Sequence, residues 1–356
     1  MTVASFTIDL SRVLDPSGEL VGTLPAFAHE PAELVALYRM MVLTRTFDAK
    51  AIALQRTGRL GTYASSLGQE AVAVGVAAAM QATDVLLPSF REHGAQLWRG
   101  VTLKELFLYW GGDERGNDFA VPREDFPNCV PVGSHAPHAV GVALAFRLRN
   151  EKRAAVCIFG DGATSKGDVA EALNMAGVWR VPAVFIVNNN GWAISVPVAK
   201  QTAAATLAQK AVAAGIPGEQ VDGNDVIAVR AVTEQALSRA RSGGGPTLIE
   251  AVSYRLSDHT TSDDASRYRD DAEVSRHWAA EPLPRLRDYL IRLDAWSKEQ
   301  EEALLHECSQ AVEHAAADYL AIPPAPAAAM FAYTYADMPD DLAAQRMTLP
   351  PAAGAA

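Results

Sequence analysis

Gly160-Asp161-Gly162 follows directly on the apolar run Ala154–Phe159, and Asn188-Asn189-Asn190-Gly191 follows directly on a second run, Ala183–Val187. Asp161 is a hard anionic oxygen ligand and Asn190 a neutral one, a pairing suited to Mg²⁺. The flanking glycines let a bulky anion come close to the backbone. A helix beginning just after Gly162 would offer its N-terminal amides to a phosphate. Taken alone, a GDG tripeptide is usually a tight turn and an Asn pair a strand end. Their placement after two apolar runs, one crossover apart, points to a metal-diphosphate clamp.

The elements needed to position that clamp can be read along the chain. Ala154–Phe159 and Ala183–Val187 are short, continuous and apolar, as buried parallel strands are. Residues 168–179 between them have the length and pattern of a crossover helix. Strand, helix and strand at this spacing make a parallel βαβ unit, so the expected class is α/β with a doubly wound, mostly parallel sheet flanked by helices. Ligands of such sheets bind beyond the carboxyl ends of the strands. Further strands are expected at 84–89, 220–221 and 247–254.

Helices are expected from Pro31, from about Gly68, from Thr102, after Pro137, over 203–214 and over 226–241. Thr102 with Glu105 has the spacing of a capping box. The many small residues of AVAVGVAAAM predict close packing against a sheet or another subunit. Residues 111–133 and 257–270 read as polar loops, and a loop that long is usually functional. Asp263 and Asp264 near Arg267 and Arg269 predict an ion network within the second. Residues 1–30 read as an extended arm, 31–320 as one domain whose charged end spans 273–320, and 321–356 as a Pro/Ala linker and tail. Packing against partner subunits is the expectation for arm and tail.

Composition narrows the class. The 356 residues are 49% hydrophobic and 21% charged, enough for a large core. A net charge of −11 argues against nucleic acid as a partner. Three scattered cysteines, Cys129, Cys157 and Cys308, suit a reducing compartment. No apolar run reaches the roughly 20 residues of a spanning helix, so no membrane partner is expected. The N-terminus MTVASFTIDLSRVLD lacks the layout of a secretory signal, which leaves cytoplasm as the expected location.

The stretch GDGATSKGDVAEALNMAGVWRVPAVFIVNNNGWAIS resembles the thiamine-diphosphate signature and, beyond it, the α subunit of the E1 component of 2-oxo acid dehydrogenase complexes. KQTAAATLAQKAVAAGIPGEQVDGNDV, GPTLIEAVSYRLSDHTTSDDASRYR, GTYASSLGQEA and PSFREHG extend the likeness over about 31–320. It is nearest to the bacterial pyruvate dehydrogenase branch. The resemblance implies the thiamine-diphosphate-binding fold and the cofactors thiamine diphosphate and Mg²⁺. It implies Mg²⁺ ligands at Asp161, Asn190 and the Trp192 carbonyl, where relatives often have Tyr. Gly162 and Ala163 would meet the diphosphate through backbone amides, and Arg91 through its guanidinium. Phe90 stands where relatives carry Tyr, without the hydroxyl. Val130 and Val132 would contact the aminopyrimidine. His259 would be the active-site histidine, with Arg255 supporting its loop or the diphosphate. Ala64 replaces a histidine of mammalian pyruvate enzymes. Lys166 is expected on a helix surface, and His93 and His138 are expected to be structural or surface groups. Thr260 stands where mammalian relatives carry a regulatory phosphoserine.

The implied activity is decarboxylation of a 2-oxo acid, pyruvate first, with reductive acylation of the lipoyl group of a dihydrolipoyl acyltransferase E2. The implied partner is an E1 β subunit, in a heterotetramer of two α and two β chains. That β chain would supply the carboxylate at the aminopyrimidine ring, so the α chain alone is expected to be inactive. Branched-chain 2-oxo acids or acetoin are alternative substrates, and a non-catalytic cofactor-binding paralogue is an alternative of another class. A dinucleotide-binding oxidoreductase is disfavoured because GDGATSKG lacks the GxGxxG order.

Overall fold

The computed structural model of the chain describes residues 1–332 and 334–349. Tyr333 and residues 350–356, part of the expected tail, lie outside the described residues. In chain order the strands are β1 (Leu10–Ser11), β2 (Val85–Leu87), β3 (Ala155–Gly160), β4 (Ala183–Asn189), β5 (Trp192–Ala193), β6 (Val196–Pro197), β7 (Gly218–Asp222) and β8 (Thr247–Val252). The helices are α1 (Pro31–Arg56), α2 (Glu70–Ala79), α3 (His93–Trp98), α4 (Leu103–Trp110), α5 (His135–Leu148), α6 (Gly167–Trp179), α7 (Lys210–Ala213), α8 (Val226–Arg241), α9 (Asp271–Trp278), α10 (Pro282–Arg292), α11 (Lys298–Leu320) and α12 (Asp340–Met347).

Among the described residues, one six-stranded sheet runs in the order β1-β7-β8-β4-β3-β2, and every pairing in it is parallel. Alternate residues of each strand point to opposite faces. Val156, Ile158, Val184 and Ile186 join one core with α1, α2 and α8, while Cys157, Phe159, Phe185 and Val187 join the other with α5 and α6. Both faces are therefore covered, which is why these strands read as continuous apolar runs rather than alternating ones.

Several boundaries differ from the sequence expectation, each for a local reason. Small residues of α2 pack against α8: a Cβ on Gly75 would stand 2.8 Å from Val229 Cγ1. Helix α5 begins at His135, so Pro137 sits in its first turn, where a missing N–H costs nothing. The helix expected over 203–214 is only a 3₁₀ turn, Leu207–Gln209, running into α7, and Gln209 Oε1 accepts the Thr206 N–H at 3.1 Å at its start. Strand β8 ends at Val252, but Ser253 and Arg255 still donate their N–H groups to the carbonyls of Asn189 and Asn190, at 2.9 and 3.1 Å.

Part of the expected arm belongs to the sheet. Leu10 and Ser11 pair with Gln220 and Val221, and Asp225 accepts the N–H groups of Val13 and Leu14, both at 2.7 Å, while its other oxygen caps α8. The capping box of Thr102 and Glu105 is present at the start of α4. In the loop over 111–133, Asp125 accepts the N–H of Leu86 at 2.8 Å and is paired with Arg99, which ties the loop to β2. No described helix is long and apolar enough to cross a membrane.

Candidate cofactor site

The floor of the site lies where β3 and β4 end side by side, with Gly160 in register with Asn188. Asp161 opens a 3₁₀ turn, Asp161–Ser165, that leads into α6. Its carboxylate is buried, and Gln201 Nε2 donates to Oδ2 at 2.6 Å. Asn190 is also buried; its Oδ1 accepts the backbone N–H of Trp192 at 3.2 Å and its Nδ2 donates to Gln69 Oε1 at 2.8 Å. Gly162 faces the hairpin formed by β5 and β6 so closely that a Cβ would meet Ala193 Cβ at 2.7 Å. Only glycine keeps that backbone in place and its amide uncovered.

The rim is made by three chain segments held through polar contacts. Arg91, buried at the start of the PSFREHG stretch, donates to the Ser65 carbonyl at 2.6 Å and to the His259 carbonyl, also at 2.6 Å. His259 Nδ1 lies 2.9 Å from Arg91 Nη2 and 3.3 Å from Arg255 Nη1. A guanidinium only donates, so Nδ1 is the acceptor and the ring proton sits on Nε2. Burial first, then Arg91 and Arg255, pull the His259 pKa down to about 4. The ring is thus neutral at physiological pH and offers an Nε2–H donor. Phe90 meets it edge-on, with ring centroids 6.2 Å apart.

A pocket of about 410 Å³ is lined by Phe90, Arg91, Val130, Val132, Asp161, Gly162, Ala163, Asn190, Trp192 and His259. Sequence reasoning had singled out all of these. Arg255 is the exception, being fully buried behind the wall. It donates to the carbonyls of Trp192 and Ile194, at 3.3 and 2.8 Å, and to the Tyr268 hydroxyl at 3.0 Å. Its contacts brace the hairpin and the 257–270 loop.

The expected ion network in that loop is only half present. Arg267 pairs with Asp264 at 3.3 Å on the surface. Asp263 instead accepts the His259 N–H at 3.0 Å and bonds to Tyr268. Arg269 turns away from both aspartates and donates to the carbonyls of Arg255, Leu256 and Ser257.

The histidines left outside the chemistry have structural partners. His93 is buried, accepts from Trp110 Nε1 at 3.0 Å and lies 3.3 Å from the Tyr63 hydroxyl, which donates to Asp48. Burial, and then Arg91, pull its pKa down to about 3. His138 stacks on Phe126. Lys166 is exposed and lies 3.6 Å from Asp168.

The donor set fits a hard cation next to a polyphosphate. Asp161 is a buried carboxylate whose only hydrogen-bonding side chain among the described residues is a neutral amide. Burial pushes its pKa up, a cost that a bound cation would relieve. Asn190 Oδ1 and the Trp192 carbonyl are further oxygens in the same wall. Among the described residues no cluster of three or more His, Cys, Asp or Glu could hold a metal by itself. A cation here therefore needs ligand oxygens to complete its shell, as Mg²⁺ bound with phosphates does.

Among the pocket residues that the sequence does not single out are Gln69, Glu92 and Ile194. Gln69, at the N-cap of α2, bonds to both Asn188 and Asn190. Glu92 accepts from Ser89 Oγ at 3.0 Å, and burial pushes its carboxyl up to about 7. Ile194 takes a positive φ of 54° in the two-residue turn between β5 and β6. Only the fold shows that these residues line one pocket with the clamp.

A family model described as "Dehydrogenase E1 component" matches residues 38–325. The 3-methyl-2-oxobutanoate dehydrogenase subunit alpha of Mycobacterium tuberculosis is 44% identical over 313 residues, covering 88% of this chain and 85% of the relative. The pyruvate dehydrogenase E1 component subunit alpha of Acholeplasma laidlawii is 42% identical over 275 residues, with 77% and 80% covered. Its namesake from Staphylococcus aureus is 37% identical over 340 residues, with 95% and 91% covered. With this coverage and a sheet that carries the clamp at its strand ends, the chain belongs to the dehydrogenase E1 component family, which depends on thiamine diphosphate.

Proposed function

We propose that this chain is the α subunit of a 2-oxo acid dehydrogenase E1 and works with an E1 β subunit. The observation that carries the reading is the meeting of Asp161 and Asn190 in one pocket, at the ends of adjacent parallel strands, beside Arg91 and His259. Asp161, the Asn190 carboxamide and the Trp192 carbonyl would hold Mg²⁺. The backbone amides of Gly162 and Ala163, with the Arg91 guanidinium, would hold the diphosphate. His259 would donate its Nε2–H to phosphate or substrate oxygens. Phe90, Val130 and Val132 would border the aminopyrimidine. Thiamine diphosphate supplies the nucleophilic carbon and the electron sink for loss of CO₂ from a 2-oxo acid. The acyl group then passes to the lipoyl arm of a dihydrolipoyl acyltransferase E2.

Pyruvate is the first substrate reading, supported by the relatives from Acholeplasma and Staphylococcus. A branched-chain 2-oxo acid is the second, favoured by the mycobacterial relative at 44% identity. Assaying CO₂ release from a panel of 2-oxo acids, with the α chain alone and with its β chain, tests both points. The expected result is turnover only in the complex, highest for pyruvate. Full turnover by the α chain alone would overturn the two-subunit reading, and a preference for 3-methyl-2-oxobutanoate would select the second substrate.

A further inference from the structure

Gln69 is 1% exposed, belongs to the pocket wall and has no role in the reading above. Its orientation follows from one backbone group. The Trp192 N–H can only donate, and it donates to Asn190 Oδ1 at 3.2 Å. The other end of that carboxamide, Nδ2, must then face Gln69 at 2.8 Å. Gln69 therefore presents Oε1 to Asn190, and the same oxygen accepts from Asn188 Nδ2 at 3.2 Å. Asn188, with its Nδ2 on that oxygen, turns its Oδ1 to the Ser253 hydroxyl, which donates at 2.6 Å. An amide flip at Gln69 would set NH₂ groups against NH₂ groups, so the assignment is fixed by donors and acceptors.

The consequence is a buried amide donor with nothing to bond. Gln69 Nε2 has no partner among the protein's described atoms. A buried donor left unmade is costly, and native structures rarely keep one without a reason. The group lies one side chain away from Asn190, at the metal end of the pocket.

We infer that Gln69 is a ligand-binding residue of this site: its Nε2–H donates to an anionic oxygen of the bound cofactor or 2-oxo acid, while its Oε1 fixes Asn190. This rests on the thiamine-dependent reading above. Two sources share the acceptor chemistry, the diphosphate of the cofactor and the carboxylate of the 2-oxo acid. The double role also accounts for glutamine rather than glutamate here. An ionised carboxylate would satisfy both asparagines but offer no donor.

The test uses the assembled α/β complex at pH 8, with Gln69→Glu and Gln69→Met. Calorimetric titration reads Mg²⁺ and thiamine diphosphate affinity, and steady-state kinetics at saturating cofactor reads the KM for the 2-oxo acid. Gln69→Glu keeps the bracket for the asparagines and removes the donor. It should weaken one anion at least about tenfold, the size expected for a lost bond to a charged group. A weaker cofactor with unchanged KM assigns the donor to the diphosphate; a raised KM with unchanged cofactor affinity assigns it to the carboxylate. If Gln69→Glu binds both as wild type does, Gln69 only braces the asparagines and the proposal is overturned. Should that variant fail to assemble, Gln69→Met decides. Cofactor or substrate loss at unchanged Mg²⁺ affinity supports the donor, and loss in parallel with Mg²⁺ overturns it. A wild-type complex that binds no thiamine diphosphate in the presence of Mg²⁺ would instead sink the cofactor reading itself.

Discussion

The floor of the pocket sits on two adjacent strand ends, whereas its rim is assembled from loops that meet across more than a hundred residues of sequence. On the floor, Asp161 and Asn190 are delivered by β3 and β4, whose backbones are held by the sheet ladder and whose side chains are buried on both faces. On the rim, His259 depends on Arg91 and Arg255, and both guanidiniums are themselves buried. Apolar burial fixes the first region and polar contacts fix the second. The strand ladder under the floor should therefore hold as pH falls, while the rim should respond through His259.

The largest effect is expected at the floor. Asp161→Ala removes the only carboxylate of the clamp and should cut Mg²⁺-dependent cofactor binding by more than the roughly 100-fold that supporting residues alone can cost. Titration of the assembled complex reads it, and near-normal affinity would show that the clamp is elsewhere. At the rim, Arg91→Met should weaken cofactor binding by about ten- to a hundredfold, the size of lost bonds to charged groups, and loosen the 257–270 loop. Faster proteolysis within 257–270, with the rest of the chain resistant, is the matching signature. A uniform loss of resistance would erase the distinction between the two regions.

The pH response comes next. The pKa of His259 is depressed to about 4, and that of His93 to about 3, by burial and by neighbouring arginines. Their unfolded values lie near 6.5. Between those limits the unfolded chain binds more protons than the folded one, so stability rises with pH. It should be complete above about pH 6.5 and decline as pH falls towards 3. Urea midpoints measured from pH 7.5 to 4 check this, and His259→Asn should flatten the upper part of the decline. An unchanged profile in that variant would show that the loop histidine is solvated.

The smaller effects sharpen the same contrast. Ile194 is a β-branched residue at positive φ, a conformation that costs about 1–2 kcal/mol outside glycine, and Arg255 holds its carbonyl. Ile194→Gly should raise stability by up to about 1 kcal/mol, since glycine's entropy offsets part of the relief. Lys166→Ala, which loses only an exposed contact to Asp168, should change thermal unfolding by no more than about 0.5 kcal/mol.

Much of the floor was legible because its signals are local. The runs 154–159 and 183–187 are continuous and apolar, and a strand buried on both faces has no other way to read. The Thr102–Glu105 box was equally local. The failures share a cause as well. The segment over 203–214 reads as helical by composition, but its helical turns start only at Leu207, where Gln209 bonds back to the Thr206 N–H. Leu10 and Ser11 carry too short a pattern to announce a strand, and their partners lie more than two hundred residues away. Arg255 could be placed near the diphosphate by resemblance, but only its bonds to the Trp192 and Ile194 carbonyls show that it braces the hairpin from behind.

The sequence by itself determined the class of sheet, the two strand ends and the oxygen-ligand chemistry placed on them, because apolar periodicity and glycine spacing act over a few residues. Tertiary structure alone decided that Gln201 holds Asp161, that Gln69 meets Asn190, and that burial with two arginines keeps His259 neutral. Apart from the local Trp192 N–H on Asn190, those outcomes depend on which donors and acceptors long-range packing buries together, and no local pattern records that.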